Sequence, residues 1–248
     1  MPALLYRIAR KDLFDLFDRL SQDYKVFVPY SKRPPRAQSL GKSERLYFAE
    51  FNSEKQNSIE LSAIRQSEPF KSFINLPRQR VLNKTEIEPK PIIVAGVKAC
   101  DLKSLRLQDS VFRQGDFEDP AYVEHRDGVT IISCDCTKAE ESCFCLAMDG
   151  ESYPRELFDL NLSAVDDGFL VEVGSEKGKT IIDKYKMFFK DALPRDNQMR
   201  DTNRKRVSTE VQSFIDKRQT PAAERVIGTV KKNWSSRIWQ DFSSTCVE

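Results

Sequence analysis

Ile92-Ile93-Val94-Ala95-Gly96-Val97-Lys98-Ala99-Cys100-Asp101-Leu102 is the stretch from which the fold is read. Its first six residues are continuously apolar, the signature of a strand buried on both faces, and such strands belong to parallel sheets covered by helices. The loop at the carboxyl end of this strand delivers Cys100, and ligands in open α/β sheets collect at strand ends of that kind. Asp101, followed by Leu102, Leu105 and Leu107, reads as the cap of a helix. A second buried strand, Val129 to Ser133, ends in the same manner at Cys134 and Cys136. Two parallel strands with thiols at their carboxyl ends put those thiols on one edge of one sheet.

Working outward, Leu13, Leu16, Phe17 and Leu20 recur at helical spacing after Asp12, and Tyr24 to Pro29 reads as a strand stopped by proline. The basic loop Ser31 to Arg36 has little aromatic interleaving and reads as a solvated turn rather than a nucleic-acid site. Leu46 to Phe51 and Ile59 to Ile64 resemble two strands of a meander, and Phe169 to Val173 is a further strand after the turn Asp166-Asp167-Gly168. From Lys179 the pattern is helical. Ile181, Ile182, Tyr185, Phe188 and Phe189 form one apolar face, Val207, Val211, Phe214 and Ile215 another, and Ala223, Ile227, Val230 and Trp234 a third. The polar stretch Pro194 to Arg206 reads as an exposed linker. The expectation is a mixed α/β sheet flanked by helices over residues 1–178, then a helical tail over 179–248.

Composition narrows the function. Forty Lys and Arg against 38 Asp and Glu leave a net charge of +2, with signs interspersed, which disfavours a polyanion binder. No two of the nine glycines are spaced Gly-x-Gly and no Walker loop occurs, so no nucleotide-binding loop is legible. A single histidine, His125, removes HExxH and multi-histidine sites; beside Arg126 it reads as a surface or packing residue. The amino terminus lacks the apolar core of a signal peptide, and Ile92 to Val97 falls far short of the ~20 residues that span a bilayer. A soluble cytoplasmic protein is the expectation.

Six cysteines occur, and Cys134, Cys136, Cys143 and Cys145 fall within twelve residues. Long unsignalled chains are poor candidates for disulfide scaffolds, and C-x-C pairs suit disulfide geometry badly. In an extended segment, residues i and i+2 point the same way ~6.6 Å apart. That separation favours two corners of an iron–sulfur cube over the tighter fan of thiolates around zinc. Zinc, and redox-active or inert thiols, stay open as alternatives.

The segments GVKACDLKSL (96–105), DPAYVEHR (119–126), the CDC–CFC cluster (134–145) and LFDLNLSAVDDGFLVEVGSEKGK (157–179) resemble the beta subunits of cytoplasmic sulfhydrogenases. They also resemble the A subunit of anaerobic sulfite reductase and related 4Fe–4S dicluster-domain proteins. The likeness runs from about Tyr24 to the last residue. It implies a 4Fe–4S cluster on Cys100, Cys136, Cys143 and Cys145, with Cys134 as the substitute ligand. It also implies an electron-transfer subunit, itself non-catalytic, between a flavin/NAD(P)H-binding subunit and a redox catalytic subunit of hydrogenase or sulfite-reductase type. A zinc-stabilised interaction module and a cluster-less scaffold are the alternatives. After CFC the chain departs from its relatives' Gly-Pro turn, since Gly150 and Pro154 are separated.

Asp119, Tyr122 and Arg126 of the DPxY–R stretch are explained equally well by a structural turn, and Trp234 and Trp239 read as core or interface aromatics. Relatives usually continue into a ferredoxin-like domain opening with C-x2-C-x2-C-x3-C-P, and Trp239 to Thr245 looks like the lead into it. The expectation is a truncated form of that domain, with Cys246 exposed and metal-free and the tail from Lys179 less firmly packed.

Overall fold

A computed structural model describes residues 4–31, 46–75 and 90–243. The basic loop, apart from Ser31, and Cys246 lie outside them.

The chain opens with β1 (Leu5–Ala9) and α1 (Arg10–Leu20), whose Leu13, Phe14, Leu16, Phe17 and Leu20 form one buried stripe. Each such side chain contributes roughly 1.5–3 kcal/mol on burial. β2 (Lys25–Tyr30), β3 (Tyr47–Glu50) and β4 (Ile92–Val97) follow, then α2 (Ala99–Phe112), α3 (Pro120–Gly128) and β5 (Val129–Cys134). β6 (Leu160–Val165) and β7 (Gly168–Val173) make a hairpin. After them come α4 (Glu176–Lys184), β8 (Lys190–Asp191), α5 (Pro194–Lys217), α6 (Ala223–Lys232) and α7 (Ile238–Ser243).

The strands form one sheet in the order β3-β2-β4-β5-β6-β7-β1-β8. β2, β4, β5 and β6 pair in parallel, and antiparallel strands flank them on both sides. This is the mixed α/β class read from the sequence. Alternation splits the core between two faces. Ile93, Ala95, Ile132, Leu160 and Leu162 pack with α1 and α4, whereas Val94, Val97, Val129 and Ile131 pack with α2 and α3. β4 and β5 run side by side from Ile92 opposite Val129 to Val97 opposite Ser133, so their carboxyl ends do share one edge.

The DPAYVEHR stretch builds a joint between helices. Asp119 caps α3 by accepting from the N–H groups of Ala121 and Tyr122, and the Tyr122 hydroxyl donates to Asp109 of α2 at 2.6 Å, where Arg126 also pairs.

Four expectations are corrected. Pro194 to Arg206 is not a linker but the first half of α5, whose inner face is polar and therefore hidden from apolar periodicity. Ile59 to Ile64 is not a strand; Ile59 alone bridges to Tyr30. Asp101 sits in the first turn of α2 rather than at its cap, which is Lys98. The loose packing expected from Lys179 begins only at α6. Ile181, Ile182 and Phe189 belong to the main core and Val207, Val211 and Ile215 are buried, whereas α6 and α7 bury no residue.

Candidate metal centre

Gly96 prepares the edge. It carries a φ of +86° at a register shift between Ala95 and Val97, and a Cβ there would stand 2.9 Å from Pro29 Cγ. The bulge shifts the register before Val97 rejoins the ladder opposite Ser133, and the Gly96 carbonyl accepts a 2.8 Å hydrogen bond from buried Gln66. Lys98 and Cys100 follow at once, Cys100 as the second residue of α2.

Cys136 lies two residues past the end of β5, and its N–H donates to Ser152 O at 3.1 Å. Cys143 and Cys145 occupy the loop before a short 3₁₀ turn at Leu146–Met148. That loop has no ladder of its own and is pinned from both sides. Thr137 donates to Ser62 O through its N–H and its hydroxyl. Lys103 of α2 donates to Met148 O, Arg206 of α5 donates to Thr137 O, and Arg218, the residue that ends α5, donates to Cys143 O. Gly150 closes the loop, with its N–H 2.8 Å from Cys145 O and no room for a Cβ against that carbonyl. Val207, Val211 and Ile215 of α5 roof Cys136, Cys143, Cys145 and Leu146.

The four thiols of the expected ligand set are electrostatic neighbours. Cys100 feels Cys136 and Cys145, Cys136 feels Cys143 and Cys145, and Cys145 feels Cys143. Burial first, then the Asp101 carboxylate and the neighbouring thiols, pushes the thiol of Cys100 up to about 12, while burial pushes Cys136 up to about 11 against the pull of Lys98. Cys145 is also raised, by burial and by Cys143. Cys100 is nevertheless reachable by solvent. A metal would displace the thiol protons on binding. N–H groups already point at sulfur: that of Glu140 lies 3.4 Å from Cys143 Sγ, and those of Cys145 and Leu146 favour the Cys145 thiolate. This is the donor environment an iron–sulfur group uses. Among the described residues, no three His, Cys, Asp or Glu side chains are gathered closely enough for a single metal ion.

Cys134 stands apart. It is the last residue of β5, shares the face of Ile132, and is fully buried in the α1 core. The strand ends there and Cys145 is helical in backbone, so neither C-x-C pair lies along one extended segment.

Three features escaped the sequence. Lys98 is fully buried, its Nζ 2.7 Å from Leu61 O. Asp101 is also buried, with Oδ2 lacking a hydrogen-bond partner among the described residues and Arg65 at 3.5 Å; burial pushes its carboxyl up to about 6. Asp135, between Cys134 and Cys136, accepts from Asn161, Ser163 and Arg204, and the Arg204 guanidinium lies 4.2 Å over Tyr153. The one available signal was position: each charge adjoins a buried strand and a cysteine.

Fold and site define an α/β protein with a group of thiols at the carboxyl edge of its sheet, roofed by a long helix. Over 240 residues, 94% of its length, the chain is 24% identical to sulfhydrogenase 2 subunit beta of Pyrococcus furiosus. It spans 65% of that protein's length. The resemblance to sulfhydrogenase beta subunits read from the motifs is therefore carried by nearly the whole chain. No protein-family model matches it, and no solved structure matches it. Among the described residues, no helix is long and apolar enough to cross a membrane.

Proposed function

We propose that this chain is the iron–sulfur, electron-carrying subunit of a multi-subunit oxidoreductase of hydrogenase or sulfite-reductase type. In this reading Cys100, Cys136, Cys143 and Cys145 hold one 4Fe–4S cluster, which supplies reversible one-electron transfer. The protein's own part is to fix the four sulfurs, direct N–H groups at them, and cover Cys136, Cys143 and Cys145 with the Val207, Val211 and Ile215 roof. It carries out no substrate chemistry. Electrons pass between a flavin/NAD(P)H-binding subunit and a redox catalytic subunit, in a soluble cytoplasmic complex without nucleic acid. The observation that carries the reading is the coupling of those four thiols, brought from three separate segments, while Cys134 is held in the core.

Anaerobic purification followed by metal analysis and visible spectroscopy tests it. The expected result is a broad visible band and about four irons per chain, the content of one cubane. Cys100→Ser and Cys143→Ser should each lower both. A colourless protein with stoichiometric zinc would instead establish an interaction module, and a metal-free chain that still binds its partners a scaffold. Affinity purification from the native cell identifies the co-purifying subunits.

A further inference from the structure

The Lys98 side chain is an unusual thing to bury. It occupies the turn between β4 and Cys100, none of it reaches solvent, and the described residues give its Nζ one hydrogen bond, to Leu61 O. No carboxylate among them pairs with it within 4 Å; Asp101 feels its charge but forms its ion pair with Arg65. Its charge is felt instead by sulfur, favouring the thiolates of Cys136 and Cys134. The other charges facing the thiols are Asp101, Asp135, Arg65, Glu151 at Cys145 and, toward Cys134, Arg10.

We propose that Lys98 sets the reduction potential of the four-thiol centre by holding a desolvated positive charge against it. The inference rests on the iron–sulfur reading above. Taking up one electron from a reductant such as dithionite adds one negative charge to a group already carrying four thiolates. No bond is made or broken, and the cost is electrostatic. A cation removed from water interacts with that added charge far more strongly than a surface lysine would. Unlike the exposed Lys103, Arg206 and Arg218 that pin the loop, Lys98 is shielded from water and salt by its burial.

The test uses the full chain, purified anaerobically, with iron analysis, thermal melting and a dithionite titration read by visible absorbance and electron paramagnetic resonance. Lys98→Gln keeps a donor for Leu61 O and loses the charge, Lys98→Met loses both, and Lys98→Arg keeps the charge. The neutral variants should load iron and become at least tenfold harder to reduce, a shift of about 59 mV for one electron. Lys98→Arg should stay near the wild-type value. Iron loss in both neutral variants but not in Lys98→Arg would overturn the proposal, making the charge a requirement of cluster assembly rather than the determinant of potential. A loaded Lys98→Gln variant with the wild-type potential, or iron loss in all three, overturns the proposal and leaves Lys98 a packing tie. A wild-type chain without iron sinks the iron–sulfur reading itself and is recognised before any variant is compared.

Discussion

Two thiols two residues apart meet opposite environments at the end of β5. Cys134 completes the strand and faces the core with Ile132, whereas Cys136 has left the ladder and turns toward Cys143 and Cys145. Cys134→Ser should therefore cost about 1–3 kcal/mol of stability, because a hydroxyl replaces a thiol in an apolar site. It should leave iron content near wild type, and Cys136→Ser should do the reverse. Denaturant melts and iron analysis on the two variants decide the matter; cluster loss in Cys134→Ser alone would exchange the ligands. Gly96 offers a second test at this scale. Its positive φ and the 2.9 Å approach to Pro29 leave no place for a methyl group. Gly96→Ala should destabilise the chain by about 1–3 kcal/mol, seen as a lower thermal midpoint.

At the scale of elements, α5 is the helix that closes over the thiols. It is fastened to the sheet by Arg204, which bonds Asp135 through Nε at 2.7 Å and Nη2 at 3.2 Å, and by Asn203, which donates to Ala164 O. Asp196, fully buried near its start, pairs with Arg7 of β1 at 2.8 Å. Arg204→Ala leaves Asp135 with Asn161 and Ser163 alone. The expected cost is about 2–3 kcal/mol, toward the low side for buried pairs because Arg204 keeps some exposure. Hydrogen exchange should quicken along α5, and a double-mutant cycle with Asp135→Ala should give a coupling well above the scatter of independent sites. The same helix marks the limit of the sequence reading. The runs IIVAGV and VTIIS were legible because central parallel strands are apolar on both faces, and α1 because its buried stripe is apolar. The first half of α5 was not, because ion pairs and amides bury its inner face, and those residues look solvated in a linear pattern. Lys98 was illegible for the same reason, since lysine is ordinarily a surface residue and only its seat between a buried strand and Cys100 betrays it. The clustering of Cys136, Cys143 and Cys145 could be read from spacing, whereas the contribution of Cys100 required β4 and β5 to be parallel neighbours.

At the scale of the whole molecule, the electron-carrier role proposed above raises the question of how electrons would enter. The sequence has no Gly-rich phosphate loop, and the carboxyl edge of the parallel strands, where a nucleotide would ordinarily settle, is taken up by thiols and their pinned loop. A nicotinamide cofactor delivers two electrons as hydride, whereas a single cubane accepts one, so a flavin is needed between them. The purified chain should then be bleached by dithionite and not by NADH or NADPH. Adding the native flavin-containing subunit should let the nicotinamide bleach it at a rate proportional to that subunit's concentration. The measurement is anaerobic stopped-flow absorbance in the visible band of the cluster. Bleaching of the isolated chain by NADPH would show that it holds a hydride acceptor of its own, and the division of labour between subunits would have to be redrawn.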